Sequence, residues 1–190
     1  TLIIAAVTCK ANTDITNVAV TTGGSEAGLL GIQTNTTPRA ELWYFAPTST
    51  ASHTITFTTA CTEGNTSLME LSGVDTSSPK GNTISASGSG TTASATLNIG
   101  TANSWAISLV ASNTNTGPTA TGGQTIRSSY TANDAGSKVA NGLSTEGPLS
   151  TGNDVQSYTI GNTAWSVASM EIKTKSTTLS LTENLGMTDT

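Results

Sequence analysis

The stretch "TLIIAAVT" at residues 1–8 decides the fold class of this chain. It is apolar without interruption from Leu2 to Val7, whereas a strand with one solvated face alternates apolar and polar residues. We therefore predict a central β-strand that is covered on both faces. The run is far shorter than the roughly 20 apolar residues that a membrane span needs, and no other apolar run approaches that length. We predict no membrane span.

Other strand-like runs follow along the chain, separated by turn residues, and helical periodicity is almost absent. "RAELWYFA" is stopped by Pro47, "SHTITFTT" alternates cleanly, and "TTASATLNI" and "SWAISLVAS" form a pair. Residues 113–153 are rich in Gly, Asn and Ser, and only "GQTIRSSY" looks strand-like there. About a dozen short strands at this spacing are typical of a β-sandwich. The sequence predicts an all-β fold, an antiparallel β-sandwich of jelly-roll type, over residues 1–173.

The composition indicates an extracellular protein. Charged residues make up only 10% of the 190 residues, while Thr and Ser together make up about a third. Hydroxyl groups in place of mixed Lys and Glu are typical of secreted or surface-displayed β-proteins. The net charge is −5 and the seven basic residues are scattered, which excludes a nucleic-acid partner. We expect a cell-surface or virion-surface location, with Thr1 left by removal of a signal segment.

The two cysteines, Cys9 and Cys61, each lie just beyond an apolar or alternating run. If these runs are neighbouring strands, their ends bring the two sulfur atoms within bonding range. Disulfides persist in secreted proteins, so we predict a Cys9–Cys61 disulfide. A disulfide between subunits and a pair of free buried thiols are the alternatives.

Residues that could carry catalysis or bind a metal are few and dispersed. His53 is the single histidine, and no G-x-S-x-G nucleophile turn accompanies it. No spacing singles out a pair of acid–base carboxylates from the conceivable members, which are Glu41, Glu63, Glu70, Asp75 and Glu171. We therefore predict no catalytic, cofactor or metal site and no enzyme activity. In "SGVDTSSP", Asp75 is expected to accept backbone N–H bonds across the turn, with a calcium role as the alternative.

Four stretches follow one another in a distinctive order: "LIIAAVTCKANTDITNVAVTTGG", "AELWYFAPTSTASHTITFT", "MELSGVDTSSP" and "AWSVASMEIK". Together they resemble a family of β-sandwich domains in bacterial, archaeal and phage surface proteins, over about residues 2–173. "SGVDTSSP" is the most specific element. The resemblance implies an extracellular jelly-roll-like module and supplies no catalytic residues. Family members usually have one more strand at the start, which implies an open slot beside the strand that holds Leu2, Ile3, Ile4 and Val7.

The last stretch, "TTLSLTENLGMTDT" at residues 177–190, alternates like a strand with one buried face. Its apolar residues are Leu179, Leu181, Leu185 and Met187. We predict that residues 174–190 form a C-terminal extension strand. Its apolar side chains would fill the open slot of a neighbouring copy, as in donor-strand complementation. Folding back onto the same domain is the alternative.

A head-to-tail contact of this kind does not close, so it generates a fibre. The predicted function is the structural subunit of an extracellular filament or pilus, whose partners are copies of itself. Two alternatives are a viral decoration or fibre protein and a cell-surface adhesin or carbohydrate-binding module. The second would use Tyr44, on the strand face opposite Trp43, as an exposed sugar-stacking ring.

Two further residue types qualify this interpretation. Each tryptophan lies in an alternating run, so Trp43, Trp105 and Trp165 are expected in the core. Asn35 and Asn65 begin N-glycosylation sequons after turn signals, so glycans are candidate partners.

Overall fold

The computed structural model describes residues 1–13, 15–21, 25–27, 29–47, 54–61, 63–134, 137–175 and 180–183. These residues form fourteen β-strands. In chain order they are β1 Leu2–Cys9, β2 Ile15–Thr21, β3 Ser25–Ala27, β4 Leu29–Gln33, β5 Arg39–Phe45, β6 Thr54–Thr59, β7 Gly64–Ser72, β8 Lys80–Ile99, β9 Ser104–Ser112, β10 Thr119–Thr121, β11 Thr125–Asp134, β12 Ser137–Leu149, β13 Gly152–Ile172 and β14 Ser180–Glu183. In the described ranges no helix is long and apolar enough to cross a membrane.

The strands form two large sheets and one small sheet. The first sheet has the order β14-β7-β1-β5-β4, and the small sheet has the order β3-β2-β6. The second sheet has the order β10-β13-β9-β12-β11, with β8 also paired to β13. Neighbouring strands in all three sheets run antiparallel, from the β1–β5 pair to the β8–β13 pair. The predicted all-β antiparallel sandwich is confirmed, and its jelly-roll connectivity stays a prediction.

Strand β1 lies at the centre of the first sheet and is buried along its whole length. Leu2, Ile4 and Ala6 face the second sheet and join the main core. The alternate residues join a second core cluster beneath the small sheet, which supplies Ile15, Ile55 and Phe57. Because each face meets a different apolar layer, no position on β1 needs a polar residue. The prediction of a central strand covered on both faces is confirmed.

Strands β8 and β13 form a long ribbon that bends back over the second sheet. The register shifts between Thr159 and Thr163, and Gly90 has φ 131°, a conformation that glycine adopts readily. Beyond the bend, Ala93 and Tyr158 pack against Val110 on the back of β9. We call residues 92–99, 119–121 and 152–160 the flap. The fold therefore stacks four β layers: the small sheet, the first sheet, the second sheet and the flap.

Two expectations about the second half of the chain are wrong. Residues 113–153 are not mostly loop, because β11 and β12 occupy much of this region with 10 and 13 residues. In β12, Leu143 joins the main core, whereas Ser144 is buried against the flap, so a polar residue there does not indicate a loop. The predicted pair of "TTASATLNI" and "SWAISLVAS" is also wrong, since β8 pairs with β13 and starts earlier, at Lys80.

The predicted Cys9–Cys61 disulfide is confirmed, with a Cα–Cα distance of 5.8 Å. It joins the end of β1 to the chain just beyond β6, and so links the first sheet to the small sheet. Gly64 pairs with Cys9 on the neighbouring strand. A Cβ atom at Gly64 would lie 2.4 Å from the carbonyl oxygen of Thr8 and 3.0 Å from Cys61 Sγ, so only glycine fits beside the bridge.

Candidate assembly site

The C-terminal strand β14 lies at the edge of the first sheet, against β7 of its own chain. The register pairs Ser180 with Ser72, Leu181 with Leu71, and Glu183 with Met69. Leu71 and Met69 are fully buried in the main core. Within the single chain, the described part of the tail therefore follows the alternative in which it folds back onto its own domain.

The predicted open slot beside β1 is wrong. Strand β1 is hydrogen-bonded to β5 on one side and to β7 on the other, from Leu2 opposite Leu71 to Cys9 opposite Gly64. Leu2, Ile3, Ile4 and Val7 are therefore interior positions of the sheet. The edge that receives the tail is one strand further out, at β7. The uninterrupted apolar character of β1 already indicated this, because an edge strand usually carries polar residues.

The start of the tail is held close to β7 by backbone hydrogen bonds. Lys173 N donates to Pro79 O (2.8 Å), and Lys175 N donates to Gly73 O (2.9 Å). Thr174 forms an antiparallel bridge with Val74. Residues 73–79 follow β7 directly. These bonds therefore place the start of the tail beside the end of β7, where the pairing with β14 begins.

Asp75 shapes the turn that makes these bonds, as expected from "SGVDTSSP". Its Oδ1 accepts hydrogen bonds from Ser77 N (3.1 Å) and Ser77 Oγ (2.5 Å). These bonds, from the hydroxyl first and then the backbone, lower the pKa of Asp75 below its usual value. In the part of the chain that the structure describes, no group of three or more His, Cys, Asp or Glu residues could hold a metal ion.

Strand β14 covers only part of the β7 edge. Its four residues pair with Met69–Ser72, whereas β7 has nine residues. Leu179, Leu185 and Met187, predicted with Leu181 to fill an acceptor slot, lie outside the described residues, as does His53. The described contact is thus a short strand addition at the end of an edge strand.

The three tryptophans and Tyr44 pack against the core clusters, which removes the sugar-stacking role predicted for Tyr44. Trp43, Trp105 and Trp165 each pack against a core cluster, as expected. Tyr44 packs against the main core, so the expectation that it is an exposed ring is wrong. Both faces of β5 are covered, because the small sheet lies over the face that would otherwise be exposed.

The two sequons lie in different environments. Asn65 is only 7% exposed, and its Nδ2 donates to Val139 O (3.5 Å), so a glycan there would have to enter the interior. The expectation of glycosylation at Asn65 is wrong. Asn35 is exposed, and its Oδ1 accepts from Arg39 Nη1 (3.2 Å). Asn35 stays a candidate glycosylation site.

The buried carboxylate of Glu171 binds backbone N–H groups from both ends of β8. Glu171 accepts from the backbone N–H groups of Asn82 (2.9 Å), Gly100 (3.1 Å) and Thr101 (2.8 Å). Desolvation opposes the charged form, but these donors and the Ser104 hydroxyl together lower the pKa of Glu171. The charged side chain of Glu171 therefore links β13 to the start of β8 and to the turn that follows β8.

A buried polar network connects the second sheet to the flap. Gln156 Nε2, on the flap, donates to Glu146 Oε2 of β12 (3.2 Å) and to a carboxylate oxygen of Asp154. Gln124 Nε2 donates to Gln156 Oε1 (3.1 Å) and to Ser144 Oγ (2.9 Å), which lies 2.6 Å from Tyr158 Oη. Burial raises the pKa of Tyr158 to about 12, and this phenol stays neutral at physiological pH.

The contact between the flap and β12, made by Gln156 and Glu146, is expected to weaken as the pH rises. Burial, and then the charge of Asp154, raise the pKa of Glu146. A carboxyl whose pKa is raised on folding stabilises the fold below its unfolded pKa, and this contribution is lost as the pH rises through the folded pKa. After correction for intrinsic rates, amides of residues 152–160 should therefore exchange hydrogen faster at neutral pH than at acidic pH.

Two variants check this dependence. Glu146→Gln removes the titrating group and should flatten the pH profile of exchange, whereas Glu70→Gln, at an exposed position of β7, should leave it unchanged. A wild-type profile that is flat, or one that rises toward acidic pH, would contradict the assignment to Glu146.

In the described residues, β14 thus extends the first sheet at β7, and main-chain hydrogen bonds position the start of the tail there. No family model, curated protein or solved structure compared with this chain matches it.

Proposed function

We propose that this chain is the structural subunit of an extracellular filament that assembles through its C-terminal strand. One observation carries the proposal: β14 extends the edge of the first sheet at β7 by antiparallel pairing. Strand addition of this kind joins proteins through main-chain hydrogen bonds. The low content of charged residues, the disulfide and the resemblance to surface β-sandwich domains support an extracellular setting.

The β14 pairing can be exchanged between copies. A neighbour's tail offers β7 the same register and the same backbone donors and acceptors as the chain's own tail. Each hydrogen bond contributes only about 0.5–1.5 kcal/mol net, so the four described pairs add little stability compared with the rest of the sheet. Exchange makes a head-to-tail contact, which propagates into a fibre.

The anchored start of the tail limits how the copies can pack. Bonds from Lys173 and Lys175 keep these residues on their own domain, so only the chain beyond Lys175 is free to cross. Five residue steps from Lys175 to Ser180 span at most about 17 Å when extended. The β7 edge of an acceptor copy must therefore lie within that distance, which requires neighbouring subunits in direct contact.

Paired cysteine variants test the exchange. Ser72 and Ser180 are directly opposite each other, so cysteines at both positions are within disulfide range. The native cysteines are already bonded to each other and leave no free thiol. When Ser72→Cys and Ser180→Cys chains are mixed and assembled, we expect a covalent dimer on a non-reducing gel. The double variant should give a ladder of linked chains.

The control mixes Ser72→Cys with Ser150→Cys, which lies in the exposed turn after β12. If the opposed pair yields no more dimer than this control, or if chains that lack residues 176–190 still form native fibres, the proposal is wrong. The carbohydrate-binding alternative lacks the support expected from Tyr44, because this ring is partly buried and packs against the main core.

A further inference from the structure

Strand β8 is the longest edge strand of the described residues. It runs for 20 residues, from Lys80 to Ile99, and pairs along this length with β13. Among the strands that the structure describes, none is hydrogen-bonded to its other side. An edge of this kind presents a row of backbone N–H and C=O groups that can pair with another strand.

The β8 edge lacks the features that usually prevent such pairing. Charged residues, prolines, bulges and short length protect edge strands. From Gly81 to Ile99, β8 contains neither a charge nor a proline. The other edge strands of the two large sheets are each short or interrupted: β14 has four residues, β4 has five and β10 has three, and β11 carries Arg127 at a register shift.

The half of β8 before the bend is shaped for strand addition. Ser85 and Ser87 are exposed, while Ile84 and Ala86 pack inward against the cluster under the flap. An open groove of about 520 Å³ lies between the two halves of β8, lined by Asn82 and Ile84 from the first half and by Thr96 and Asn98 from the second. A strand from another molecule can therefore reach this edge without displacing a charged side chain.

We propose that β8 pairs with β8 of a second copy of this chain, antiparallel and around a two-fold axis. A second β8 brings an edge that is as free of charge and proline from Gly81 to Ile99 as the first, and the single charge favours the antiparallel orientation. Lys80 is the one charged residue of β8. Antiparallel pairing places the two Lys80 side chains at opposite ends of the contact, whereas parallel pairing in register would place them together. Serine residues then lie opposite serine residues, which can exchange hydrogen bonds across the strands.

The contact joins the second sheets of two subunits into one continuous sheet. It goes beyond the head-to-tail assembly proposed above, because β8 and β14 belong to different sheets. A two-fold contact closes after two copies, so it would pair subunits or adjacent fibres side by side rather than extend a fibre.

Hydrogen exchange of the full-length protein tests this interface. Between dilute and concentrated solution, we expect the amides of residues 83–89 that point away from β13 to become at least tenfold better protected, and sedimentation to shift from monomer toward dimer. Ser85→Lys combined with Ser87→Lys places positive charge on the edge at two exposed positions, and it should remove both effects. The matched control, Ser150→Lys with Thr151→Lys, adds the same charge to an exposed turn and should retain both.

Three outcomes would overturn the proposal. The proposal is wrong if the protection of residues 83–89 is independent of concentration up to the solubility limit, or if the dimer survives the two β8 charges as well as it survives the control. Loss of the protection on deletion of residues 176–190 would make the tail, not β8, the occupant of the edge. If the double variant fails to fold, the single variant Ser85→Lys replaces it in both measurements. Failure of the Ser72–Ser180 cross-link leaves this test unaffected.

Discussion

Replacement of Arg39 by Met is expected to lower the free energy of unfolding by about 3–5 kcal/mol. Arg39 is 2% exposed and Glu41 is fully buried, on the face of β5 beneath the small sheet. Their side chains form an ion pair, with Arg39 Nε 2.5 Å from Glu41 Oε1. Removal of the cation leaves a buried carboxylate without its counter-charge, which costs more than the loss of one ordinary contact.

The remaining guanidinium hydrogen bonds add to this cost. Arg39 donates to Gln33 Oε1 (2.7 Å), Asn12 Oδ1 (2.9 Å) and Asn35 Oδ1 (3.2 Å), and so joins β4 to the loops after β1 and before β5. Glu41 keeps the N–H donor of Trp43 (2.8 Å), which maintains its position but does not neutralise its charge.

The double variant Arg39→Met/Glu41→Leu is the control for this prediction. Two apolar residues leave no uncompensated charge, so the double variant should be more stable than Arg39→Met alone. Urea denaturation of the wild-type protein and the variants measures these differences. A loss below about 1 kcal/mol for Arg39→Met, or a larger loss for the double variant, would contradict the assigned role of the ion pair.

Removal of the disulfide by Cys9→Ala with Cys61→Ala is expected to cost about 4 kcal/mol. The bridge joins positions 52 residues apart, and the cost is the chain entropy that such a loop removes from the unfolded state. Alanine avoids a buried hydroxyl at Cys9, which is fully buried. Urea denaturation measures the loss, and the reduced wild-type protein should lose a similar amount.

The reduced protein also separates loop entropy from side-chain packing. If the alanine variant is much less stable than the reduced wild-type protein, the missing sulfur atoms and not the open loop account for the difference. If neither loses more than about 1 kcal/mol, the loop-entropy account fails.

Several features followed from local sequence because neighbouring residues determine them. The apolar run of β1 predicted burial on both faces, and the pattern of "SGVDTSSP" predicted the hydrogen bonds that Asp75 accepts. Alternation and turn chemistry are short-range properties, so in both cases the local pattern is itself the physical cause. The Cys9–Cys61 bridge was predicted correctly, but from runs taken as neighbouring strands, whereas β1 and β6 lie in different sheets.

The sequence alone misplaced features that depend on layers contributed by distant segments. Tyr44 and Asn65 occupy positions typical of an exposed strand face and a surface sequon, and both are covered by other layers. Strand β12 looked like a loop because its polar residues, such as Ser144, face the flap rather than solvent. Burial of hydroxyls and amides inside hydrogen-bonded networks removes the contrast between apolar and polar residues that sequence patterns depend on.

The sequence by itself determined that the chain is an antiparallel β-protein with few charges, a central apolar strand and an alternating C-terminal strand. Only the tertiary structure decided that β7 lies between β1 and β14 in the first sheet. It also showed that β8 is left with an unpaired side among the described strands. Strand neighbours are chosen by the combined burial of residues far apart in the chain, such as Leu2 and Leu71, and no local pattern records which distant strand completes a sheet.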